Sequence, residues 1–346
     1  MIALTYSKEK VFSASEHLNL FFITVCLVTN GLSIFYYGNK QIEIISLLIN
    51  FVSFAFIMIR NNILSINLLA MLAVAGISTA FTFVLYGGGG SIINYFIVVF
   101  LLCVFPRLSF SKKQIRYLYF LAACILTINL LLFKKIFAYG ALNHLETYDG
   151  NLLNNNMFGI FSLLALYFSL CWLSETKIKK KLKVFIGVCV FCFFGYYIYI
   201  SECRSALLYL FLNTKNITWT IFGKNLFSGR EYVWSNVADL LKTHFVFGTG
   251  GSIPVIERAN GDLTTSAHHT LLSSMYCFGI IPTVIFIYVF YRAIKDHKSF
   301  IVPRIAQFAI LSSLIIIYFE SFYFESHISV FALLFFIRVH GGRPQS

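Results

Sequence analysis

Long apolar runs separated by short polar segments dominate the pattern of this chain. A helix needs roughly 20 apolar residues to cross the hydrocarbon core of a bilayer. Such runs occupy about ten segments, of which the fourth and the last are short: 18–38, 41–60, 63–86, 91–106, 116–133, 157–174, 184–200, 270–291, 304–320 and 323–339. We therefore predict an all-α polytopic membrane protein of about ten transmembrane helices, forming a single membrane domain over residues 1–346.

A long segment between the seventh and eighth runs departs from a bundle of plain hairpins. Residues 201–267 begin with an apolar piece at 206–212 and then become polar and Gly-rich. Residues 204–228 are too few to descend and return across a bilayer at about 1.5 Å per helical residue. We predict a shallow re-entrant or interfacial hairpin within a functional loop on the outer face, because loops of this length are usually functional.

The composition supports the membrane prediction and excludes several classes of function. The chain is 58% apolar, 18% aromatic and 12% charged, whereas an ordinary soluble domain is about 45–50% apolar and about 25% charged. One globular core of this length cannot hide 39 Phe and 20 Tyr side chains, so lipid must cover many of them. Disorder, nucleic-acid binding as the main activity and a simple soluble enzyme are excluded.

The net charge of +13 is explained by topology. With the N-terminus in the cytoplasm, 18 of the 27 basic and four of the 14 acidic residues lie inside, which leaves the inner face at +14 and the outer face at −1. Lys and Arg are retained on the cytoplasmic side of membrane proteins. We predict a multi-pass protein of the bacterial cytoplasmic membrane with both termini cytoplasmic and, from the polar start and the lack of a cleavage site, no cleavable signal peptide.

Arg204 is the first candidate for chemistry on the outer face. It lies in Cys203-Arg204-Ser205, directly after the seventh run. An Arg at this boundary can reach lipid headgroups by snorkelling. Alternatively, its planar guanidinium binds phosphate oxygens.

Arg230 is the second candidate. It follows Ser228-Gly229, which predicts a helix with Arg230 in its first turn, where free N–H groups favour anions. Trp234 lies four residues later and can stack on the guanidinium. The alternative is a surface pair with Glu231, which would contribute little.

A pair of histidines, His268 and His269, precedes the eighth run. Histidine accepts a proton near neutral pH without large tuning, although a single interfacial histidine is more often a hydrogen-bonded structural residue. Adjacent histidines on a helix point about 100° apart, which disfavours joint chelation of one metal ion. We found no Asp-x-Asp pair or His/Cys metal spacing, so we predict no metal and no cofactor.

Together, two arginines and a histidine over an apolar bundle suit a lipid that carries a diphosphate. A diphosphate is a good leaving group that needs charge stabilisation and a base for the attacking nucleophile. The arginines would take the place of a divalent cation.

The order of these motifs resembles the bacterial O-antigen ligases and polymerases of surface-polysaccharide assembly. The resemblance covers about residues 154–279 and the overall number of spans. It rests on four matches: the Asn-rich start Asn154-Asn155-Asn156-Met157-Phe158-Gly159, the stretch Cys203-Arg204-Ser205-Ala206-Leu207, Arg230 with Trp234 and Gly248-Thr249-Gly250, and His268 with Gly279. Two features depart from the family pattern. His269 stands where the family has the Asn of a His-Asn pair, and only residues 204–228 stand where the family usually has two spans between its Ser-Arg and Gly-Arg motifs.

The resemblance implies a GT-C-like fold and a metal-independent, inverting glycosyltransferase that acts on undecaprenyl-diphosphate-linked oligosaccharide. Arg204 and Arg230 would hold the diphosphates, and His268 would activate or position the acceptor hydroxyl. The implied substrate-binding residues also include Trp234, His269, Asn156, Glu320 and Glu325, although the two glutamates, at a depth where carboxylates are costly, are first expected to pair with the arginines.

We predict a repeat-unit polymerase for capsule or exopolysaccharide, embedded in membrane lipid. Its partners would include a chain-length regulator and a flippase, and no nucleic acid. A ligase that transfers finished polymer to a lipid or cell-wall acceptor, and a flippase or transporter of lipid-linked oligosaccharide, are the alternatives.

Overall fold

Helices make up most of the computed structural model, which describes residues 2–86, 90–138, 141–201, 220–221, 224–225, 230–249, 256–257, 263–264, 269–298, 305, 307, 309–310 and 326–339. The helices are α1 (Ile2–Phe35), α2 (Lys40–Arg60), α3 (Ile66–Tyr86), α4 (Gly90–Val104), α5 (Lys112–Leu132), α6 (Asn155–Glu175), α7 (Lys180–Ile200), α8 (Arg230–His244), α9 (Thr270–Phe278), α10 (Ile280–Lys298) and α11 (Ser326–Leu333). Short 3-10 turns follow α4 at Phe105–Arg107 and α11 at Leu334–Phe336.

Six helices in the described part of the chain are long and apolar enough to cross a membrane. They are Glu16–Phe35 of α1, Lys40–Arg60, Ile66–Leu85, Lys112–Leu132, Asn155–Glu175 and Lys180–Ile200. These match the first three runs and the fifth to seventh runs of the sequence, which confirms a largely helical, membrane-embedded protein. The run at 304–320 lies outside the described residues except for 305, 307 and 309–310, so the number of ten spans stays a prediction.

Two predicted runs are not single helices. The run at 270–291 is divided at Gly279, whose φ of 84° and ψ of −178° end α9, and α10 begins at the next residue. In the last run, α11 ends at Leu333, and the chain continues through a 3-10 turn into a short strand. That strand, β9 (Arg338–Val339), pairs in parallel with β1 (Ser109–Phe110), and this pairing draws the backbone out of the helix.

A small antiparallel sheet, absent from the all-α prediction, follows α5. Its strands are β2 (Lys134–Ala138), β3 (Ala141–Glu146) and β4 (Leu152–Asn154), in the order β2-β3-β4. Lys134 stands opposite Glu146, and their side chains form an ion pair at 2.6 Å. Buried Leu142, Leu145 and Leu153 hold the sheet on the bundle. Two further hairpins pair β5 (Thr220–Ile221) with β6 (Lys224–Asn225), and β7 (Ile256–Glu257) with β8 (Leu263–Thr264).

The centre of the bundle is formed by α4, α6 and α11. On α4, residues such as Tyr95, Ile97 and Val104 have no exposed surface. Residues 330–335, at the end of α11 and in the 3-10 turn after it, are equally enclosed. At 15 residues, α4 is only about 22 Å long, which is shorter than the hydrocarbon core. It is covered by its neighbours, whereas α7 turns most of its surface outward.

Reciprocal amide pairs join α1 to α2. Asn30 and Asn50, both fully buried, each donate to the other at 2.8 and 3.1 Å. Near the other end of the same helices, Asn19 and Asn61 do the same at 3.1 and 3.2 Å. An apolar helix surface packs on lipid about as well as on another helix. Hydrogen bonds between side-chain amides therefore help to hold two membrane helices together.

Described loops contact one another at two ends of the bundle, which we name after the orientation predicted from the charges. At the end that we call the outer end, Asn151 Nδ2 donates to Tyr37 O at 2.8 Å and Asn39 Nδ2 to Asp149 Oδ2 at 3.2 Å. At the opposite, inner end, Arg338 N donates to Leu108 O at 3.0 Å beside the β1–β9 pair.

Candidate functional site

The helix that follows Ser228-Gly229 begins where the sequence predicts it. α8 starts at Arg230, of which the structure describes the backbone, and buries Val233, Val237 and Leu241 at intervals of four residues. Its opposite face carries an exposed ion pair between Lys242 Nζ and Asp239 Oδ1 at 2.7 Å. α8 is therefore amphipathic and lies against the bundle with its first turn at Arg230.

His269 caps the N-terminus of α9. Its backbone is extended, and its Nδ1 accepts a hydrogen bond from Leu272 N at 3.3 Å. The residue is 8% exposed, and this burial lowers the pKa of His269 below its ordinary value of 6.5. Because Nδ1 accepts, the neutral ring carries its proton on Nε2 and presents that nitrogen as a donor.

Trp234 contacts His269 and so joins two of the sequence motifs. Their rings meet edge to face, with centroids 5.3 Å apart and planes at 89°. Trp234 lies four residues after Arg230, or about 6 Å along the helix axis. The start of α9 therefore lies against the second turn of α8. His269 accepts from one N–H group in the first turn of α9. The other N–H groups of a first turn have no intrahelical acceptor, and the helix dipole is positive there, so this region suits an anion.

A second contact, which we call the outer junction, joins residues 245–249 to residues 276–280. Thr249 N donates to Tyr276 O at 2.8 Å, and Ile280 N donates to Phe245 O at 2.9 Å. The loop after α8 thus supplies an acceptor for the first N–H of α10 and a donor for a carbonyl at the end of α9. These are groups that the helix break leaves without a helical partner.

Glycine is required on both sides of the outer junction. Gly248 and Gly279 both have positive φ, at 69° and 84°. A β-carbon on Gly248 would lie 2.6 Å from Gly279 N, and one on Gly279 would collide with Val246 O and lie 2.6 Å from Val246 C. The two backbones therefore cross at a distance that only glycine allows.

Polar contacts hold the outer junction on the bundle. Thr82 of α3 donates from its hydroxyl to Phe247 O, and Tyr95 of α4 donates to Pro282 O at 2.7 Å. Across the helix break, the hydroxyls of Ser274 and Thr283 are 2.8 Å apart. The side chains that make these contacts are buried, so α9 and α10 keep a defined relative orientation despite the break.

A third group at the outer end consists of Lys135, Phe158 and Tyr197, which we call the aromatic cage. Lys135 Nζ lies 5.3 Å from the centre of the Tyr197 ring and 6.0 Å from that of Phe158, and the two rings meet at 90°. Partial burial lowers the pKa of Lys135 from its ordinary value of 10.5. No carboxylate among the described side chains lies within salt-bridge distance of this ammonium, whereas its neighbour Lys134 is paired with Glu146.

The structure thus brings some predicted site residues together. Trp234 and His269 touch, and the Arg230 backbone lies one turn from Trp234. Asn156 lies half-buried in the first turn of α6, two residues before Phe158 of the aromatic cage. Arg204, His268, Glu320 and Glu325 lie outside the described residues, as does most of the loop 201–267 with its predicted hairpin.

Two features of the site were missed from the sequence. The first is Lys135, which the sequence analysis did not single out, although the apolar run Ile136-Phe137-Ala138 that follows it is rich in strand-forming residues. The second is the helix break at Gly279, for which Gly279 and Pro282 were the signal, since Pro is tolerated in the first turn of a new helix.

Among the described residues, no group of three or more His, Cys, Asp or Glu side chains is placed to hold a metal ion. Comparisons with protein-family models, with curated proteins and with solved structures find no match to this chain.

Proposed function

We propose that this protein is a glycosyltransferase of the bacterial cytoplasmic membrane that polymerises lipid-linked repeat units of a surface polysaccharide. It transfers the growing glycan from undecaprenyl diphosphate to the non-reducing end of another lipid-linked unit, with inversion at the anomeric carbon. The proposal draws on the motif resemblance and on the arrangement at the outer end of the bundle.

The observation that carries the proposal is the contact between Trp234 and His269. Each belongs to a different motif of the resemblance, and the Gly248 segment of the Trp234 motif is also held against α9, by Thr249. Motifs that are separate along the chain are thus neighbours in space, as expected if they serve one site.

The electrostatics of this region also support binding of a diphosphate. The first turns of α8 and α9 present helix N-termini, and Arg230 adds a permanent positive charge to the α8 turn. The ammonium of Lys135 lies at the same end of the bundle and has no carboxylate partner among the described side chains. A partly desolvated cation of this kind interacts strongly with phosphate oxygens.

In the proposed reaction, Arg230 and Arg204 bind the diphosphate and stabilise the charge that develops on it as the glycosidic bond breaks. His268 accepts the proton of the acceptor hydroxyl, whose oxygen forms the new bond to the anomeric carbon. His269 has a different role, because its Nδ1 is occupied by Leu272 N. It caps α9 and contacts Trp234, so it positions the start of α9 against α8.

The test is mass spectrometry of undecaprenyl-linked glycans from cells that lack this gene and carry either the wild-type gene or a variant. Arg230→Gln should leave single repeat units on the carrier at the outer leaflet, with normal expression of the protein. The matched control is Lys242→Gln, which removes one positive charge from the exposed face of the same helix and should leave polymer length unchanged.

Other outcomes would replace the proposal. Long polymer trapped on the carrier would identify a ligase, and units stranded on the cytoplasmic side would identify a flippase. An unchanged profile in the deletion strain would refute any role with these lipids. If His268→Ala retained full polymer output, the role of that residue as base would be wrong.

A further inference from the structure

A cavity of about 180 Å³ opens at the inner end of the bundle, opposite the site described above. It lies between the start of α3, the end of α4 with its 3-10 turn, and the second half of α10. Its polar lining consists of Ser65, Asn67, Arg107, Tyr288 and Arg292. Since one water needs about 10–15 Å³ of such space, the cavity has room for a group much larger than water.

We propose that this inner cavity binds a phosphate-bearing anion, supplied by the headgroup of an anionic membrane phospholipid. The proposal is independent of the function proposed above, because none of the residues that line the cavity belongs to the outer-end site.

Two guanidinium groups, those of Arg107 and Arg292, share the cavity. Arg107 Nη1 donates to Cys103 O at 2.8 Å, and Arg292 Nη1 donates to the Tyr288 hydroxyl at 3.4 Å. No described carboxylate lies within 4.0 Å of either group. Each guanidinium has five N–H donors, so most remain available, and a bound anion would relieve the repulsion between the two charges.

The position of Arg107 follows from the local sequence. Pro106 lies in the short 3-10 turn that follows α4, and Arg107 at the end of this turn donates from its guanidinium back to the carbonyl of Cys103. One Nη1 hydrogen bond to the backbone orients the planar group toward the cavity. An oriented guanidinium is well suited to bidentate recognition of a phosphate.

The start of α3 adds further donors. Ser65 Oγ accepts from Leu68 N at 3.2 Å, which leaves the hydroxyl hydrogen available to a ligand. The Asn67 amide lines the same cavity, and the helix dipole of α3 is positive at this end.

The surroundings point to a lipid as the source of the anion. The floor of the cavity is apolar and includes buried Leu102, Val289 and Ala293. Ile66 and Tyr291, which neighbour lining residues in the sequence, are 85% and 59% exposed on the sides of the bundle, where lipid would cover them. A basic cavity between helices beside lipid-facing residues is the arrangement that binds anionic headgroups at the cytoplasmic leaflet.

The experiment uses the full-length protein in a neutral detergent and measures its unfolding midpoint during titration with three probes. These are phosphatidylglycerol, phosphatidylcholine and inorganic phosphate. Phosphatidylglycerol should raise the midpoint at lower concentration than phosphatidylcholine, whose own ammonium group the two arginines disfavour. In the double variant R107Q/R292Q, the apparent affinity for phosphatidylglycerol should fall by about tenfold or more.

The matched control is the double variant R60Q/R116Q, which removes two charges from the same end of the bundle but none from the cavity lining. It should bind phosphatidylglycerol as the wild type does, and native mass spectrometry should count the same number of retained lipids. If inorganic phosphate alone reproduces the shift and R107Q/R292Q abolishes it, the site binds a phosphate anion whose source is soluble.

Equal losses in the two double variants would show general attraction to a basic surface and would overturn the proposal. Equal responses to phosphatidylglycerol and phosphatidylcholine in the wild type would overturn it as well. Should R107Q/R292Q fail to fold, the single variants R107Q and R292Q provide the same comparison against R60Q and R116Q.

Discussion

Replacing Gly279 by alanine tests whether the outer junction is built on a backbone crossing that only glycine permits. At φ 84° and ψ −178°, Gly279 occupies a region that other residues adopt at a cost of about 1–3 kcal/mol. The added β-carbon would also collide with the carbonyl of Val246 and force residues 245–249 away from α9.

That displacement would break the two backbone hydrogen bonds of the outer junction, from Ile280 N to Phe245 O and from Thr249 N to Tyr276 O. Each contributes about 0.5–1.5 kcal/mol net. Together with the backbone strain, we expect Gly279→Ala to lower the free energy of unfolding by about 2–6 kcal/mol.

The assay is equilibrium unfolding of the purified protein in mixed micelles with increasing SDS, followed by circular dichroism. The matched control is Gly195→Ala in α7, where an ideal β-carbon meets no atom within 4 Å. Alanine is favoured over glycine inside a helix by about 0.5–1 kcal/mol, so this variant should be as stable as the wild type or slightly more stable. Equal stabilities of the two variants would refute the reasoning about Gly279.

Three further predictions concern other contacts of the bundle. Asn30→Leu should destabilise the fold by about 1–2 kcal/mol because it leaves the amide of Asn50 buried without its partner, and the double replacement of Asn30 and Asn50 by leucine should restore part of that loss in a double-mutant cycle. His269 has a lowered pKa in the folded state, so the unfolded chain binds more protons as the pH falls below about 6.5, and stability is lost toward acid pH. His269→Asn keeps a side-chain cap on α9 and should remove this loss, and a wild-type pH profile in the variant would contradict the assignment. Under the proposed function, Lys135→Gln should reduce polymer formation by about tenfold or more, as expected for loss of one charged contact to phosphate. The control Lys134→Gln removes only an exposed ion pair and should change polymer output little. Gel analysis of polysaccharide from complemented cells measures both.

Much of the architecture could be read from the amino-acid sequence. The predicted runs at 41–60, 63–86 and 184–200 agree with α2, α3 and α7 within a few residues. This succeeds because a membrane helix must satisfy its own backbone hydrogen bonds and cover itself with apolar side chains, and both demands are local. The start of α8 at Arg230 was equally accessible, since the Ser-Gly pair marks a helix boundary.

Features that depend on contacts between distant segments could not be read in the same way. The break at Gly279 persists because Phe245 and Thr249 supply hydrogen-bond partners for the broken helix ends, and the contact of Trp234 with His269 depends on how α8 lies on α9. Lys135 is likewise distinguished from Lys134 by its tertiary contacts: it lies against the rings of Phe158 in α6 and Tyr197 in α7, whereas Lys134 pairs with Glu146.

The sequence by itself determined which segments enter the membrane and which polar residues are candidates for chemistry, because transfer into lipid depends on each segment's own composition. Tertiary structure decided which of these segments lie inside the bundle and which candidates meet. The apolar runs of α4 and α7 are similar in kind, yet α4 is enclosed and α7 is largely exposed. Hydropathy does not separate these cases, because lipid and a packed protein interior are both apolar, and only the shapes and polar contacts of the facing helices distinguish them.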